Sequence, residues 1–558
     1  MASSLFHPPS PRLLFLSVLL LLLLSLPPPS LSTAVPGGNP SSSSSDPHLS
    51  SVKALCSSTP YPDACFQSLK LSIGVGVGVG VGPLPLLFQS LQSAIADALK
   101  LSALLASANL GIAEKQRGTI QDCRELHEIT LSSLRRSASL VQSGRRLRDV
   151  RTYLSAALTN RATCLEGLAT ASGPSKAALA GAVADAYKSV TNSLSVLSQL
   201  APVPPAGRGR RLLGASTGGG GEFPSWVSRR DRRLLLQATS EDDDNGYDPS
   251  SVLTVAADGS GNFTTVGDAV EFAPSGSGDR TIIIVRAGVY EENVVVPSEK
   301  SNLVFLGDGS DVTVIRGSRS VGDGWTTFRS ATVAISGEGF LARDIAFENT
   351  AGPGKGQAVA LRVNADLAAF YLCAMAGYQD TLYPHSFRQF YRACSVSGTV
   401  DFVFGNAAAS FQACTILPRK PLPGQFNAIT AQSRDDPNMN TGFSVQNCTV
   451  VASEELANTR TYLGRPWKPY SRTVYMGSYL GELVHPAGWA EWDGDRGLDT
   501  LYYGEYGNRG PGAATDKRVA WPGYHVMAYD DAVRFTVSQL IDGDQWLDST
   551  SFPYDDGV

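Results

Sequence analysis

Short apolar runs at near-regular intervals constrain the fold of the second half of this chain. From Val252 onward they alternate with clusters of Gly, Asp, Asn and Ser, as in Thr281–Val285, Asn293–Val296, Leu303–Leu306 and Ala331–Ile335. A sandwich of antiparallel sheets would show alternating polarity and hairpin turns, whereas nearly continuous apolar runs are typical of strands buried in parallel sheets. The pattern therefore predicts an all-β domain, a parallel β-helix, over residues 246–558.

Two aspartates in this half lie in dense polar and aromatic segments. Asp380 lies in Gly377–Tyr383 and Asp401 in Gly398–Asn406, 21 residues apart. That interval is about one coil of a β-helix, whose repeats run at roughly 20–50 residues, so both carboxylates could rise onto one face. Since neighbouring carboxyl groups do not easily both ionise, one would keep its proton as an acid while the other attacks. The alternative is that both are turn aspartates of a solvated β-protein.

The neighbouring side chains favour the catalytic interpretation and a sugar substrate. Gln379 offers an amide donor beside Asp380, and Arg465 stands two residues before Trp467. Arginine pairs with carboxylates through a planar fork, and an indole stacks on the apolar face of a sugar ring. These residues predict a site for an acidic carbohydrate.

Three segments together resemble the plant pectin methylesterases, or pectinesterases. They are Tyr378–Tyr383, Gly398–Asn406 and Leu463–Trp467, and the resemblance runs from about Val252 to Phe552. It implies a right-handed β-helix and an aspartyl esterase that hydrolyses the methyl esters of homogalacturonan, the acidic polymer of cell-wall pectin, to pectate and methanol.

The resemblance and the chemistry of ester hydrolysis assign four catalytic roles. Asp401 would attack the ester carbonyl, and Asp380 would give its proton to the leaving methanol and then activate water. Gln379 is the first candidate to stabilise the tetrahedral oxyanion, and Gln357 is the second by resemblance.

Three further residues would bind or orient the substrate. Arg465 would orient Asp401, and Trp467 would stack on the sugar. Thr327 fits a substrate contact by analogy, the alternative being an ordinary strand threonine. His385 lies near the carboxylates, but no metal-ligand spacing occurs there, so neither a metal nor another cofactor is expected.

The first half of the chain differs in character, because Ala, Leu and Ser recur at helical spacing between residues 50 and 200. This predicts an all-α antiparallel bundle, in which Cys56 could pair with Cys65 and Cys123 with Cys164. The segment Leu154–Cys164 resembles the pectin methylesterase inhibitor family, which implies a four-helix bundle. Alternating glycines between Gly74 and Pro83 predict a flexible insertion, since each glycine costs a helix roughly 1 kcal/mol.

Targeting and processing signals flank the bundle. The apolar run Leu13–Leu26 predicts a secretory signal peptide within residues 1–32, with a retained signal anchor as the alternative. The linker over residues 201–245 contains two dibasic pairs, Arg210-Arg211 and Arg232-Arg233. The resemblance implies that a serine protease removes the pro-region at these pairs; a solvated basic tether is the alternative.

A secreted enzyme of the cell wall, or apoplast, would carry disulfides and glycans. Cys394 and Cys414 are 20 residues apart, so we expect them to face each other in adjacent coils and to pair, while Cys373 and Cys448 stay unassigned. Asn262 and Asn447 begin glycosylation sequons.

Charge divides the chain unevenly. Residues 1–236 hold 23 Lys and Arg against 12 Asp and Glu, and the rest holds 23 against 39, giving net charges of +11 and −16. This predicts that a basic pro-region associates with an acidic catalytic module and inhibits it until cleavage. It also predicts that the module is repelled by demethylated pectin and prefers highly methylated substrate.

The expected partners are methylated homogalacturonan, the chain's own pro-region, separate inhibitor proteins and the processing protease, with no nucleic acid, and the expected state is a monomer. Two other functions compete. A polygalacturonase or lyase would share the β-helix but would cleave the glycosidic bond. A wall-binding or inhibitor protein would keep the fold without catalysis.

Overall fold

The computed structural model of the chain describes residues 47–73, 82–107, 111–200, 252–453, 456 and 459–558. The predicted signal peptide, residues 1–32, lies outside these ranges, as does most of the Gly-Val run. So do the dibasic pairs Arg210-Arg211 and Arg232-Arg233 of the predicted linker.

The N-terminal part forms the predicted helical bundle. Its helices are α1 (Pro47–Ser57), α2 (Pro62–Ile73), α3 (Pro83–Ser107), α4 (Thr119–Ser143), α5 (Leu147–Thr170), α6 (Lys176–Ala186) and α7 (Lys188–Leu200). Helices α3, α4 and α5, with the consecutive pair α6–α7, make up the four helices of the bundle. Three of the helices begin with proline, whose fixed φ suits the first helical position and whose missing N–H costs nothing there. Apolar residues at intervals of three and four, such as Leu87, Leu91 and Ala94 of α3, fill the core.

Both disulfides predicted for the bundle are formed. Cys56–Cys65 joins α1 to α2, and Cys123–Cys164 joins α4 to α5. A tight turn at Gly144 also connects α4 and α5. Gly144 has φ 64° and donates its N–H to the carbonyl of Val141 at 3.0 Å, a left-handed helix end that glycine adopts without strain. The two helices are thus fixed to each other at both ends.

The C-terminal part is a parallel β-helix built from three parallel sheets, as predicted. The first sheet contains β1 (Val252–Val255), β2 (Thr281–Val285), β5 (Leu303–Gly307), β8 (Leu341–Arg343), β11 (Ala368–Tyr371), β14 (Arg388–Arg392), β17 (Ala408–Gln412), β20 (Gly442–Gln446), β23 (Arg472–Met476), β25 (Tyr502–Tyr506) and β26 (Tyr524–Val526). The second contains β4 (Val294–Val296), β7 (Val333–Ile335), β10 (Leu361–Val363), β13 (Leu382–Pro384), β16 (Val403–Gly405), β19 (Asn427–Gln432) and β22 (Thr461–Gly464). The third contains β3 (Gly288–Glu291), β6 (Thr313–Gly317), β9 (Ala346–Asn349), β12 (Ala374–Ala376), β15 (Ser395–Gly398), β18 (Thr415–Pro418), β21 (Thr449–Val450) and β24 (Tyr479–Leu480).

Three short helices complete this part of the chain: α8 (Val266–Phe272), α9 (Tyr529–Ala532) and α10 (Val537–Leu540). The interior of the coils is apolar and partly aromatic; Tyr391 stacks between Phe370 and Phe411 with centroid distances of 4.9 and 4.7 Å. Helix α10 covers the outer face of the first sheet, where Val537 and Leu540 pack against Phe390 and Ala408. Within the ranges described, none of the helices combines the length and the apolarity needed to cross a bilayer.

A left-handed residue between the first and third sheets recurs in successive coils, and a cysteine follows it in four of them. The pairs are Leu372-Cys373, Ala393-Cys394, Ala413-Cys414 and Asn447-Cys448, with φ of 51° to 56° at the first residue. Because each cysteine takes the same place in its coil, the four side chains point inward and form one row in the core.

The predicted Cys394–Cys414 disulfide is wrong in this structure. The two residues lie in adjacent coils as expected, but they and their neighbours Cys373 and Cys448 are buried free thiols. Equivalent positions on neighbouring parallel strands keep their side chains aligned about 4.8 Å apart. A disulfide needs Cβ atoms closer, about 3.8 Å, and turned toward each other. Adjacent coils therefore stack these thiols without joining them.

Helices α4 and α5 pack against the second sheet. Leu126 of α4 is buried among Phe328, Tyr383 and Phe404 of the β-helix. Thr159 of α5 accepts a hydrogen bond from the Asn406 amide at 2.8 Å. The bundle is thereby seated over the edge of the sheet from which the two aspartates of interest emerge.

Candidate active site

Asp380 and Asp401 occupy equivalent places in adjacent coils. Strands β13 and β16 pair in register with Leu382 beside Val403, and each aspartate lies two residues before its strand. The backbone is left-handed at both, with φ 63° at Asp380 and 52° at Asp401. For residues with a side chain this conformation costs roughly 1–2 kcal/mol, a strain that concentrates at functional sites. The interval of 21 residues thus corresponds to one coil.

All seven residues predicted to act on substrate line a single cleft with a volume of about 480 Å³. They are Asp380, Asp401, Gln379, Gln357, Thr327, Arg465 and Trp467. Thr327 does not lie in a strand; it precedes the short 3-10 turn Phe328–Ser330. Among the residues the structure describes, no three His, Cys, Asp or Glu side chains converge as metal ligands would.

Aromatic residues that sequence reasoning did not select complete the cleft wall. Tyr383 and Phe404 stack with centroids 4.1 Å apart, and Trp492 stacks on Trp467 at 6.3 Å. The Arg465 guanidinium carbon lies 4.2 Å from the Trp492 ring centre. Tyr383 and Phe404 fall within the segments that carried the resemblance, but nothing in the sequence connects Trp492, 25 residues further on, with Trp467.

Arg465 donates two parallel hydrogen bonds to Asp401. Its Nε and Nη2 donate to the two carboxylate oxygens at 2.8 and 2.7 Å. Burial raises the pKa of Asp401, while the hydrogen bonds and charge of Arg465 oppose that rise. The guanidinium therefore favours the ionised form of a carboxylate that is almost fully enclosed.

The environment of Asp380 favours its protonated form. Burial, and then the negative charge of Asp401, raise its pKa well above the usual value, and the charge of Arg465 only partly compensates. Neighbouring carboxyl groups whose environments push their pKa values apart divide into a proton donor and an anion. Asp380 is suited to the first role and Asp401 to the second.

The two glutamines enter the cleft from consecutive coils. The Ala358 N–H donates to the Gln379 carbonyl at 3.2 Å, and the Val321 N–H to the Gln357 carbonyl at 2.9 Å. These backbone bonds fix the coils on which both side chains stand. Two amide groups therefore lie in the same cleft as the carboxylate that would attack.

The bundle forms one side of this cleft, to which Asp122 of α4 and Thr163 and Glu166 of α5 contribute. Thr163 also shares a 2.9 Å hydrogen bond with the buried Nε2 of His385. Phe387 packs against Ile129 and Tyr153 of the bundle. His385 therefore contacts the bundle, and among the residues described no hydrogen bond joins it to Asp380 or Asp401.

Ion pairs across this contact do not follow the net charges of the two parts. Of eight pairs among the described residues, three join a bundle arginine to a β-helix carboxylate: Arg136–Glu338, Arg148–Asp542 and Arg161–Asp435. The other five run the reverse way: Asp122–Arg329, Glu125–Arg329, Glu125–Arg362, Asp149–Arg388 and Glu166–Lys468. Beside the cleft the bundle is acidic and the β-helix basic, the opposite of what the net charges predicted.

Two of these bundle carboxylates are electrostatically unlike each other. Burial raises the pKa of Asp122 to about 7, although Arg329 and the hydrogen bond from Thr326 oppose the rise. Burial acts on Glu125 in the same direction, but Arg362 and Arg329 outweigh it and hold its pKa below the ordinary value. The contact thus contains one carboxyl that can take up a proton near neutrality and one that stays ionised.

The proposed glycan sites Asn262 and Asn447 are exposed. The side-chain carbonyl of Asn262 accepts a hydrogen bond from the Thr254 N–H at 2.9 Å, and Asn447 has φ 52° in the turn before Cys448. Their glycosylation stays a prediction.

Two family models match this chain. Residues 252–544 match the family described as Pectinesterase, and residues 50–196 match Plant invertase/pectin methylesterase inhibitor. The first match spans just over half of the chain.

Curated relatives match over nearly the whole length. The chain is 54% identical over 530 residues to "Probable pectinesterase/pectinesterase inhibitor 12" of Arabidopsis thaliana, covering 92% of this chain and 95% of the relative. It is 43% identical over 536 residues to "Pectinesterase 1" of Citrus sinensis, covering 92% and 90%. Among solved structures, the "Pectin methylesterase from Carrot" matches with a TM-score of 0.55 and 52% identity, over 57% of this chain and 100% of that one.

Proposed function

This chain belongs to the pectinesterase family and carries an inhibitor-like domain, and from that premise we propose that it removes methyl groups from homogalacturonan by an aspartate mechanism. The observation that carries the proposal is the bidentate Arg465–Asp401 ion pair, which lies beside the buried Asp380 in one cleft. The pair supplies an anionic nucleophile, and Asp380 supplies a proton.

In the first half-reaction, a carboxylate oxygen of Asp401 bonds to the ester carbonyl carbon, and a tetrahedral oxyanion forms. The Gln379 and Gln357 amides, which line the cleft, donate hydrogen bonds to that oxygen. When the intermediate collapses, the bond to the methoxy oxygen breaks, and Asp380 gives its proton to that oxygen so that methanol leaves. The sugar is then held as an anhydride on Asp401.

In the second half-reaction, Asp380 is an anion and acts as a base. It takes a proton from water, the hydroxide oxygen attacks the anhydride, and collapse frees Asp401 with the sugar as its acid. The acid loses its proton to solvent at neutral pH, and Asp380 is again protonated. Each turnover consumes one ester and one water and yields one carboxylate, one proton and one methanol.

Three cleft residues position the substrate. Arg465 holds the Asp401 carboxylate in one orientation and stabilises its charge. Trp467 presents its indole to the apolar face of a sugar ring, an arrangement that the stacked Trp492 rigidifies. Thr327 lies close enough to the cleft to contact the polymer.

The experiment that tests this mechanism uses the full chain with a specific protease site placed in the linker, cleaved after folding and freed of the bundle. Methanol release from highly methylated pectin is compared with that of Asp380→Asn and Asp401→Asn. These isosteric changes remove the acid and the nucleophile, so we expect at least a thousandfold loss for each, in line with the largest single-group effects at acyl-transfer sites.

A folded Asp401→Asn variant that keeps parental activity would rule out the aspartate nucleophile. Pectin that becomes shorter on size exclusion without methanol release would indicate a polygalacturonase or lyase. A folded parent that binds pectin and releases no methanol would indicate a binding protein.

The bundle also inhibits the enzyme in our proposal until it is cut away. Support comes from Asp122, Thr163 and Glu166, which form a wall of the catalytic cleft, and from Leu126, which is buried among the cleft aromatics. A polymer cannot lie along a cleft closed in this way. Uncleaved chain should therefore release methanol more slowly than cleaved, bundle-free chain at equal molarity, and equal rates would contradict inhibition.

Processing at the dibasic pairs by a serine protease, and secretion to the cell wall, complete the proposal. It rests on Arg210-Arg211 and Arg232-Arg233 and on the apolar segment Leu13–Leu26. A chain with both pairs changed to Gln should stay full-length when expressed in plant cells, while the parent accumulates as the shorter form in the wall. A parent recovered full-length and intracellular would contradict this part.

A further inference from the structure

A loop of the β-helix contacts the helical bundle outside the catalytic cleft. This Met439 loop covers residues 433–441, between β19 and β20, and none of its residues lines the cleft. The Met439 side chain is only 2% exposed and belongs to the apolar core of the bundle. Among the residues described, all the other members of that core are bundle residues. The burial of this thioether therefore depends on the docked bundle.

Hydrogen bonds on both sides of Met439 join the loop to two helices. The Asn438 side-chain oxygen accepts a hydrogen bond from Ser198 of α7 at 2.7 Å. The Asn440 amide donates to the Thr152 hydroxyl of α5 at 3.1 Å. The Met439 loop thus contacts α5 and α7 at once, and the thioether lies between the two hydrogen bonds in the sequence.

The β-helix supplies its own support for the Met439 loop. Arg434 donates from Nε to the Met439 carbonyl at 3.1 Å and from Nη2 to the Pro437 carbonyl. The Asn406 amide nitrogen donates to the Met439 sulfur at 3.3 Å, and the Asn406 oxygen accepts a hydrogen bond from Thr441 at 2.6 Å. All of these groups belong to the β-helix, so departure of the bundle removes none of them. The loop then presents its thioether to solvent.

Of the methionines that the structure describes, Met439 is the one covered by the bundle. The chain has five methionines, and residues 47–200 contain none. Met375, Met476 and Met527 are buried among β-helix residues, and Met1 lies in the predicted signal peptide. A reagent for exposed thioethers therefore has one target at this contact.

We propose that Met439 is an oxidation site, and that its conversion to methionine sulfoxide by hydrogen peroxide keeps a released bundle from docking again. The sulfur lone pair attacks one peroxide oxygen, and an S–O bond forms as the O–O bond breaks. The hydrogen of the transferred oxygen joins the departing hydroxide, so water leaves. Sulfur is oxidised by two electrons, and the peroxide is reduced by two. Enzymatic reduction restores the thioether.

The sulfoxide opposes docking because it places a polar oxygen in an apolar core. A buried polar atom without full hydrogen bonding weakens a contact, and an added atom in a close-packed site forces its neighbours to shift. One donor at the sulfur is the Asn406 amide, which also donates to Thr159 of α5. Turning this amide toward the new oxygen would strain a bond to the bundle.

The consequence is that release of the bundle becomes one-way where peroxide is present. The uncleaved chain keeps Met439 buried, whereas cleaved protein exposes it whenever the parts dissociate. The two disulfides of the bundle are typical of an oxidising compartment. The effect on docking is independent of the reaction in the cleft, whereas the effect on activity rests on the proposed inhibition by the bundle.

The first experiment measures sulfoxide formation. Uncleaved chain and cleaved, bundle-free β-helix are treated with the same concentration of hydrogen peroxide, and their peptides are analysed by mass spectrometry. Met439 should be oxidised roughly tenfold faster or more in the bundle-free protein, because the reaction follows exposure. Met375 and Met476 should react slowly in both. Equal rates at Met439 in the two proteins would overturn the proposal.

The second experiment measures docking by calorimetry, with bundle and β-helix folded as one chain, cleaved in the linker and separated. Peroxide treatment of the β-helix should raise the dissociation constant roughly 10- to 100-fold. Met439→Leu keeps an apolar side chain of similar volume, so it should dock nearly as the parent does and resist peroxide. Met439→Gln should weaken docking without peroxide. The matched control Met527→Leu, outside the contact, should stay as sensitive as the parent.

A parent that docks equally well after complete oxidation of Met439 would overturn the proposal. A Met439→Leu protein that loses docking on peroxide treatment as the parent does would also overturn it. Circular dichroism verifies that the treated parts are folded. Methanol release by bundle-free enzyme should be the same before and after oxidation, because the Met439 loop lies outside the cleft. Failure of the aspartate mechanism is recognised separately, by an active Asp401→Asn variant.

Discussion

At the scale of single residues, the guanidinium of Arg465 controls the pKa of Asp401, the nucleophile of the proposed mechanism. Burial raises the pKa of that carboxyl, and the charge and two hydrogen bonds of Arg465 counter the rise. We expect Arg465→Lys, which keeps the charge but loses the planar fork, to raise the pKa of Asp401. Since the proposed mechanism requires ionised Asp401, the acidic limb of kcat/KM against pH should move to higher pH, and activity at low pH should fall by roughly tenfold or more.

The measurement is a pH profile of methanol release by bundle-free enzyme, with Arg286→Lys as a control for charge-preserving arginine replacement at an exposed pair. If kcat/KM falls by the same factor at every pH, the pKa of Asp401 is unchanged, and Arg465 acts on the substrate and not on Asp401.

Asp122 makes docking of the bundle sensitive to pH. Its pKa is about 7 in the docked state against 3.8 for an ordinary aspartate, so docking takes up a proton. The free-energy cost that the Asp122 carboxyl adds to docking is absent below about pH 4, where the group is protonated in both states. It grows as pH rises and reaches its full value above about pH 7. The dissociation constant of a bundle cleaved from the β-helix should therefore rise by roughly 10- to 50-fold between pH 5 and 7.

Two variants separate this effect from a general loss of charge. Asp122→Asn cannot titrate and should bind with much less dependence on pH, whereas Glu166→Gln removes another cleft carboxylate and should retain it. Binding measured by calorimetry at both pH values provides the comparison, and an unaltered pH dependence in Asp122→Asn would assign the proton to another group.

At the scale of elements, the Cys123–Cys164 bridge holds together the two helices that close the cleft. It spans 41 residues, whereas Cys56–Cys65 spans 9. Loop-closure entropy gives about 4 kcal/mol of stabilisation for the longer loop and about 2.6 kcal/mol for the shorter. Replacing both cysteines of the longer bridge with Ser should lower the urea midpoint of the helical circular dichroism signal more than the same change at the shorter bridge. Equal shifts would show that loop length does not decide the effect.

The period of the β-helix was predictable, and its chemistry only partly so. A coil of about 21 residues brings Asp380 beside Asp401 whatever the side chains are, since strand pairing sets the register. The same reasoning placed Cys394 beside Cys414, but adjacency does not supply the geometry of a bond. Pairing depends on Cβ directions, which the spacing of residues does not encode.

The contact between the helices and the sheet was beyond sequence reasoning. Asp122 and Glu125 lie on a helix that also carries Arg124 and Glu128, and charges on a helix surface usually face solvent. Net charge predicted that the two parts would attract each other. Net charge did not indicate that the bundle, which belongs to the basic half of the chain, turns acidic side chains toward the cleft. A net charge summed over a domain does not say how the charges are distributed over its surface.

At the scale of the whole molecule, the bundle and the enzyme are parts of one chain. A tethered blocker acts at an effective concentration that does not change with dilution, whereas a cut one dissociates as the protein is diluted. We expect uncleaved protein to show the same low specific activity at every concentration. Cleaved but unseparated protein should become more active as it is diluted below the dissociation constant, and a cleaved sample that stays inactive at the lowest measurable concentration would indicate that dissociation requires a further signal.

The coiled architecture leaves the catalytic unit independent of the length of the molecule. Each coil touches only the one before and the one after it, so coils could be gained or lost beyond β4 and β22 without moving Asp380 relative to Asp401. A chain built in this way can evolve a longer or shorter track for its polymer while the reaction centre is inherited unchanged.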